Sequence, residues 1–255
     1  MDQDTEQKLP ERNVFRGIGS ITIFENDDCI VLNKPAGMLS IPDRTQSQPS
    51  LKDYLKEKFG SIFTVHRLDR ETSGVLVFAK TETMHKHLSL QFEDRSTQKT
   101  YNGLVTGKLD EPTGVIDEPI AEHYSQKGMM MTSDKGKPST TEYKLLEQFK
   151  SYSWMQFHIL TGRTHQIRVH MKHLGHPIVC DELYGDGKSI LLSSFKKKFN
   201  LAKSAEEERP ILNRLALHAA QLSFKDMQEN VQTFEAPLPK DLRALLQQLR
   251  KWNSG

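Results

Sequence analysis

Short apolar runs that alternate with polar turn clusters predict a chain rich in β-strands. Runs at 21–24 and 29–32 flank the polar stretch 25–28, an arrangement typical of a hairpin. Further strand-like runs lie at 75–79, 100–105, 140–149, 154–160 and 215–224. The run at 75–79 is continuously apolar, which indicates a buried strand.

Apolar residues at helical spacing predict four helices between and after these strands. The helical segments are 51–59, 84–92, 164–174 and 241–252. Gly60 and Gly175 directly follow two of them, in the position of helix-terminating glycines. Strands and helices together predict one α+β domain, folded as two lobes around a cleft.

The first residues and one internal segment differ in composition from the predicted core. Residues 1–17 are polar and predict a mobile tail, so the ordered domain is expected to span 18–255. Residues 185–210 are lysine-rich and then acidic, which is typical of an exposed insertion.

The N-terminus lacks a signal-peptide pattern, and no segment has 18 uninterrupted apolar residues. We therefore expect a cytoplasmic protein without a membrane span.

The overall charge gives little information about partners. The chain has 255 residues, 35 Lys plus Arg against 33 Asp plus Glu, and a formal net charge of +2. That balance does not diagnose a nucleic-acid partner, so any basic surface must arise from arrangement. Two cysteines are too few for a disulfide framework or a zinc ribbon, which excludes a disulfide-stabilised miniprotein.

The segment 66–74 concentrates charge directly before a predicted strand. Asp69 lies between Arg67 and Arg70, and Thr72 supplies a hydroxyl close by. Flanking arginines favour the ionised carboxylate, which makes Asp69 a candidate nucleophile at neutral pH. The alternative is a solvated turn whose opposite charges pair weakly on the surface.

A second cluster of donors occupies 162–171. His165 and Arg168 are three residues apart and share a helix face, where they can hold an anion. Arg168 is a candidate partner for Asp69, and Arg163 near the helix start suits a phosphate. The alternative is an ordinary basic helix. The histidines at 165, 170, 173 and 176 lack the spacing of a zinc helix, so no metal is expected.

Both clusters resemble conserved motifs of the RluA family of pseudouridine synthases. HRLDRETSG at 66–74 resembles the catalytic motif, and GRTHQIRVH at 162–170 resembles the later motif. Weaker resemblances lie in VLNKPAG at 31–37, KTY at 99–101, LHA at 217–219 and APLP at 236–239. The resemblance implies the pseudouridine synthase fold, with a mixed, mostly antiparallel central sheet flanked by helices and loops.

The resemblance further implies isomerisation of specific uridines to pseudouridine in structured RNA, without metal or cofactor. The expected substrate is ribosomal RNA of the large subunit, with transfer RNA as the alternative. Asp69 matches the family aspartate, which attacks the ribose or the ring or removes a ribose proton. Tyr101 matches the residue that contacts the target base and is implicated in proton removal at carbon 5. Arg168 matches the basic partner of the aspartate.

Several motif residues are expected to bind the RNA. Arg67 matches an arginine that replaces the flipped nucleotide, as base chemistry inside a stack requires. The other expected substrate-binding residues are His66, Arg70, Thr72, Arg163 and His165. Lys196–Lys198 are candidate phosphate contacts, and a monomer is the simplest expectation. Only about 18 residues precede the first predicted strand, so we expect the catalytic domain without the RNA-binding domain that many relatives carry.

Two positions of the sequence differ from the family pattern, and two other functions remain open. Cys180 stands where relatives often have glycine, and Lys225–Asp226 where a His-Pro pair is common. A catalytically silent RNA-binding or assembly factor of the same fold is one alternative function. Glycoside hydrolysis by Asp69 with Glu71 is another, although their spacing gives no information about the separation that this reaction requires.

Overall fold

The computed structural model describes residues 15–197, 199 and 207–254. Most of the predicted tail, including residues 1–14, and Lys198 therefore lie outside the described residues. Within the described part, no helix is long and apolar enough to cross a membrane.

Four α-helices are described, and their limits follow local signals in the sequence. They are α1 (Leu51–Phe59), α2 (Glu82–Glu93), α3 (Gln166–His173) and α4 (Lys240–Trp252). Ser50 and Asp53 form a capping box at the start of α1, which satisfies backbone donors that the helix leaves free. Gly60 follows α1 with a φ of +77°, a conformation that glycine adopts without a steric penalty.

Ten of the twelve described strands form one mixed sheet. The first six are β1 (Thr22–Glu25), β2 (Cys29–Lys34), β3 (Phe63–Thr64), β4 (Ser73–Ala79), β5 (Gln98–Thr106) and β6 (Thr113–Asp117). The others are β7 (Ile120–Glu122), β8 (Met130–Thr132), β9 (Thr140–Gln148), β10 (Tyr152–Ile159), β11 (Leu217–Lys225) and β12 (Val231–Glu235). The sheet order is β1-β2-β4-β11-β5-β10-β9-β6, with β3 also on β4 and β12 also on β11. β7 and β8 form a separate hairpin.

The pairing is antiparallel among the described strands except between β4 and β11, which run parallel. The predicted mixed, mostly antiparallel sheet is therefore confirmed. This junction joins the β1-β2-β4 half to the β11-β5-β10-β9-β6 half. His218 pairs with Ser73 and Ala219 with Gly74 at this point.

Strands β2 and β4 contain the continuous apolar runs 29–32 and 75–79 because both of their faces are covered. Val31, Val75 and Val77 pack with α2 on one face. Leu32 and Leu76 pack on the other face with α1. Alternate side chains of a strand point to opposite faces, so a strand buried on both sides loses the usual polar alternation.

The predicted elements agree with the structure at most positions, with shifts at their ends. Ile21 belongs to a single 3-10 turn, and the first strand begins at Thr22. Helix α3 begins at Gln166, two residues after the predicted start, because His165 has a left-handed φ of +55°. Strands β3, β6, β7, β8 and β12 were not predicted from the sequence; they are short, and most carry polar or exposed residues.

The predicted insertion at 185–210 is attached to the core more firmly than its composition indicates. Ile190 is buried and forms a bridge with Leu212. Phe195 packs against the large apolar cluster that contains α4. Lys197 is exposed, whereas the Lys196 ammonium lies 5.0 Å from the centre of the Trp252 ring. The composition of this segment reflects its many polar residues and does not reveal the few apolar side chains that pack against the core.

Candidate active site

A cavity of about 80 Å³ opens where the two halves of the sheet meet. Seven of the nine residues expected from the sequence line it: Arg67, Asp69, Thr72, Tyr101, Arg163, His165 and Arg168. Their chain positions span a hundred residues, so the fold brings the two charged clusters to one place.

Asp69 lies in the loop that leads from β3 to the start of β4. The preceding residue is fixed by Ser40, whose hydroxyl donates to the Leu68 carbonyl (2.8 Å) and accepts from the Leu68 amide (3.1 Å). The Thr72 amide donates to the Asp69 carbonyl at 3.2 Å, which closes a turn. These bonds hold the backbone on both sides of the carboxylate, whose side chain is 20% exposed.

Lys34 holds the backbone of Arg70, the residue that follows Asp69. Its buried ammonium donates to the carbonyls of Pro35 (3.0 Å), Met38 (2.7 Å) and Arg70 (2.8 Å), so each proton has an acceptor. Burial lowers the pKa of Lys34 to about 7, although the nearby Asp69 partly opposes this effect. Lys34 thus ties the end of β2 to the loop that carries the carboxylate.

Arg168 provides the cation that faces Asp69. Its guanidinium makes two 2.8 Å bonds to the fully buried carboxylate of Asp181 and lies 3.6 Å from Asp69 Oδ2. Burial by itself would lower the pKa of Arg168, but the bonds to Asp181 and the charge of Asp69 raise it above the ordinary value. The predicted pairing with Asp69 is present, and Asp181 is the closer partner.

His165 is the second group directed at Asp69. Its Nε2 lies 3.8 Å from Asp69 Oδ2, and its Nδ1 lies 2.8 Å from the hydroxyl of Tyr184. Burial lowers the pKa of His165, an effect that Asp69 opposes and Arg168 reinforces. The ring is therefore neutral near pH 7.

Tyr101 lies on β5 between the two halves of the core. It pairs with Phe157 on β10 and with Ala219 on β11. Burial raises the pKa of the Tyr101 phenol, and the charge of Asp69 adds to the increase. Tyr101 therefore carries its proton at neutral pH and offers a flat, neutral ring to the cavity.

Three further residues expected from the sequence also line the cavity. Arg67 is exposed and has no ion-pair partner within the described ranges. Arg163 donates from Nε to the Pro138 carbonyl at 3.2 Å, and its amide donates to Gln166 Oε1 at 3.0 Å. Thr72 is buried at the base of the loop.

Two residues expected to bind RNA do not line this cavity. Nε2 of His66 accepts from the Val77 amide at 3.2 Å, and the ring stacks on Phe92 at 4.6 Å. Burial lowers the pKa of His66 to about 3, which keeps the ring neutral. Arg70 turns away from the cavity, with Nε 3.3 Å from the Gly37 carbonyl and 3.5 Å from Glu71.

Sequence reasoning missed Asp181 and Tyr184, which hold the two groups that face Asp69. Both follow Cys180, which has a left-handed φ of +58°, a conformation that glycine adopts without a steric penalty. The burial of Asp181 and the left-handed φ of Cys180 are visible only in the structure, which is why sequence reasoning missed this support.

The described residues contain no group of three His, Cys, Asp or Glu side chains that could hold a metal ion. The chemistry visible in the cavity is a carboxylate flanked by an arginine, a neutral histidine and a neutral tyrosine, all on a mixed α+β scaffold.

This fold and this cavity correspond to one class of RNA-modifying enzyme. The sequence profile of the RNA pseudouridylate synthase family matches residues 28–173. The chain belongs to this family and is an RNA pseudouridine synthase, an isomerase, as the resemblance to RluA-type enzymes implied.

Individual relatives cover most of the chain. A ribosomal large subunit pseudouridine synthase D of Buchnera aphidicola is 35% identical over 93% of this chain and 74% of its own length. A dual-specificity RNA pseudouridine synthase RluA of Vibrio vulnificus is 37% identical over 79% of this chain and 76% of its own. The structure of human RNA pseudouridylate synthase domain containing 4 is 26% identical, with a TM-score of 0.71 over 91% of this chain and 94% of its own.

Proposed function

We propose that the chain converts specific uridines of large-subunit ribosomal RNA to pseudouridine, with Asp69 as the catalytic carboxylate. The observation that carries the proposal is the position of Asp69, held by its backbone at the mouth of the cavity and facing Arg168 at 3.6 Å. Transfer RNA remains the alternative substrate.

The choice of substrate is supported by what similar proteins are named. Several relatives are ribosomal large subunit pseudouridine synthases, among them proteins of Buchnera, Nitrosomonas and Vibrio at 31–35% identity. We also propose that the enzyme works as a monomer in the cytoplasm, with residues 18–255 as its catalytic domain.

The proposed roles follow from the charge of each group. Arg168 keeps a positive charge next to Asp69 and so favours the carboxylate that attacks the ribose or the ring, or removes a ribose proton. Tyr101 contacts the target base as a neutral phenol. Burial raises the pKa of Tyr101, so the phenol keeps its own proton at neutral pH while it contacts the base.

The proposed RNA contacts are polar and charged residues that line the cavity. Arg67 is exposed beside Asp69 and is suited to fill the space of a flipped nucleotide. Arg163 and Thr72 contribute donors to the same cavity, and His165 contributes its Nε2 face. His66 and Arg70 are given supporting roles in the loop, because their side chains bond to backbone groups of neighbouring segments.

Substitution of Asp69 tests the catalytic assignment. Asp69→Asn keeps the shape of the side chain and removes its charge, so we expect no pseudouridine and RNA affinity within about threefold of the wild type. Release of tritium from RNA labelled at uridine carbon 5 measures turnover, and filter binding measures affinity. Glu71→Gln, on the same loop, is the matched control and should remain active. An active Asp69→Asn variant would refute the assignment.

The same assay decides between an enzyme and a silent assembly factor of this fold. A silent factor would release no tritium from any RNA, although it would still bind. Comparing pseudouridine positions in the RNA of cells with and without this protein identifies the substrate. Loss of a site in large-subunit ribosomal RNA supports the proposal, and loss confined to transfer RNA would replace its substrate.

A further inference from the structure

The hydroxyl of Tyr184 lies between the β7–β8 hairpin and the active site. The Tyr184 side chain is buried and packs with Ile120 of β7 and Val169 of α3. Its oxygen accepts from the Met130 amide of β8 at 2.8 Å and lies 2.8 Å from His165 Nδ1. Tyr184 does not line the cavity, so its hydroxyl supports His165, which does line it.

The distance between Tyr184 and His165 does not show which group donates, and counting hydrogen-bond donors and acceptors assigns a direction to this bond. A phenol oxygen carries one proton, and the Met130 amide is a donor that does not accept it. Nδ1 of His165 is the one acceptor within bonding distance of this hydroxyl in the described part of the chain. The Tyr184 proton therefore goes to Nδ1, and a neutral His165 must carry its own proton on Nε2. That nitrogen is the one 3.8 Å from Asp69.

The same tyrosine also contacts the cation that faces Asp69. The Arg168 guanidinium carbon lies 4.9 Å from the centre of the Tyr184 ring. The Tyr184 amide donates to Asp181 Oδ1 at 3.0 Å, the same carboxylate that binds Arg168. One side chain thus supports both groups that approach Asp69.

We propose that Tyr184 is a positioning residue that holds His165 in the neutral Nε2–H form, with that proton directed at Asp69. This inference rests on the proposed function, in which Asp69 is the catalytic carboxylate. Asp69 then faces one permanent cation and one neutral donor. A protonated His165 would form an ion pair with Asp69 and reduce the reactivity of the carboxylate.

Protonation of His165 is opposed from several sides. The charged and titratable groups that act on the ring are Asp69, Arg168, Asp181, Arg67 and Tyr184. The two carboxylates favour the imidazolium, whereas burial and the two arginines disfavour it. The hydrogen bond from Tyr184 also disfavours the imidazolium, because a protonated Nδ1 can no longer accept from the hydroxyl.

Tyr184→Phe removes the hydroxyl and keeps the ring next to Arg168. We expect kcat to fall about tenfold, the effect of losing one positioning hydrogen bond, with KM for RNA within about twofold. Protonation of His165 becomes easier, so the acidic limb of the pH–rate profile should move to higher pH. Tyr54→Phe, a half-buried tyrosine on α1 away from the cavity, is the matched control and should behave like the wild type. An unchanged kcat and pH profile in folded Tyr184→Phe would overturn the proposal.

Nitrogen-15 NMR of histidine-labelled wild-type protein gives a readout that needs no activity. The proposal requires His165 to be neutral at pH 7 with its proton on Nε2, assigned by comparison with His165→Gln. A proton on Nδ1, or a charged ring, would overturn it even if Tyr184→Phe fails to fold. Failure of the proposed function appears separately, as pseudouridine formation by Asp69→Asn while the His165 tautomer is as expected.

Discussion

Single residues at this site obtain their properties from buried neighbours. Arg168 is charged next to Asp69 because Asp181, which is fully buried, compensates its burial with two short bonds. His165 is neutral because its ring is buried and bonded to Tyr184. The sequence motifs contain the residues that touch the cavity, whereas the residues that set their charge follow more than ten positions later.

Removing the charge of Asp181 should destabilise the fold strongly. Asp181→Asn leaves the buried Arg168 without its main counter-charge, and breaking such a pair costs about 3–5 kcal/mol. Urea unfolding measures the loss. Asp241→Asn is the matched control, since Asp241 makes the same two-pronged contact with Arg214 at 2.7 Å but is 38% exposed. Equal losses in the two variants would contradict the role of burial.

At the scale of elements, the site depends on the parallel contact of β4 with β11. The loop with Asp69 leads into β4, Tyr101 lies on β5 next to β11, and α3 follows β10. Two antiparallel half-sheets joined by one parallel pair place these segments side by side. The positions of the longer strands were predictable from apolar runs, but the order of strands in the sheet was not.

Gly74 is the residue that permits this parallel contact. It has a φ of +117°, and a Cβ atom there would lie 2.1 Å from the Ala219 carbonyl oxygen. We therefore expect Gly74→Ala to prevent folding or to lower the thermal midpoint by more than about 5 °C, on the order of 2 kcal/mol or more.

Thermal unfolding followed by circular dichroism tests this prediction. Gly19→Ala serves as the control, because no atom lies within 4 Å of a Cβ at that position and its φ is not positive. A Gly74→Ala protein as stable as Gly19→Ala would show that the β4–β11 contact tolerates a side chain.

At the scale of the whole molecule, buried neutral histidines make stability depend on pH. Nδ1 of His218 lies 2.9 Å from the Ser73 hydroxyl, and its Nε2 lies 3.1 Å from the Ala236 carbonyl. Burial lowers the pKa of His218 to about 4, against the bond to Ala236. His66 is half-buried and stacked on Phe92, and its enclosure lowers its pKa to about 3.

The direction of the pH effect follows from the depressed pKa. The unfolded chain takes up a proton on His218 near pH 6.5, whereas the folded protein resists it until about pH 4. This contribution to stability is complete above pH 6.5 and is lost as the pH falls. Over that window the free energy of unfolding should decrease by up to about 1.4 kcal/mol per pH unit for each such group.

Urea unfolding between pH 7 and pH 4.5 measures how the free energy of unfolding changes with pH. His218→Gln should reduce this slope by the contribution of one histidine. The comparison uses the slope and not the absolute stability, because the substitution also disturbs the bonds to Ser73 and Ala236. A variant with the wild-type slope would show that His218 does not titrate in this range.

The sequence by itself determined the class of fold, most strands and helices and the enzyme family, and seven of the nine site residues that it predicted line the cavity. These properties are local, because hydrophobic periodicity and contiguous motifs depend on residues that are close together in the chain. Tertiary structure alone decided that β4 runs parallel to β11, that Asp181 and Tyr184 support Arg168 and His165, and that His66 and Arg70 turn away from the cavity. The physical reason is that burial and hydrogen-bond partners depend on residues distant in the chain, and these set both the direction and the charge of a side chain.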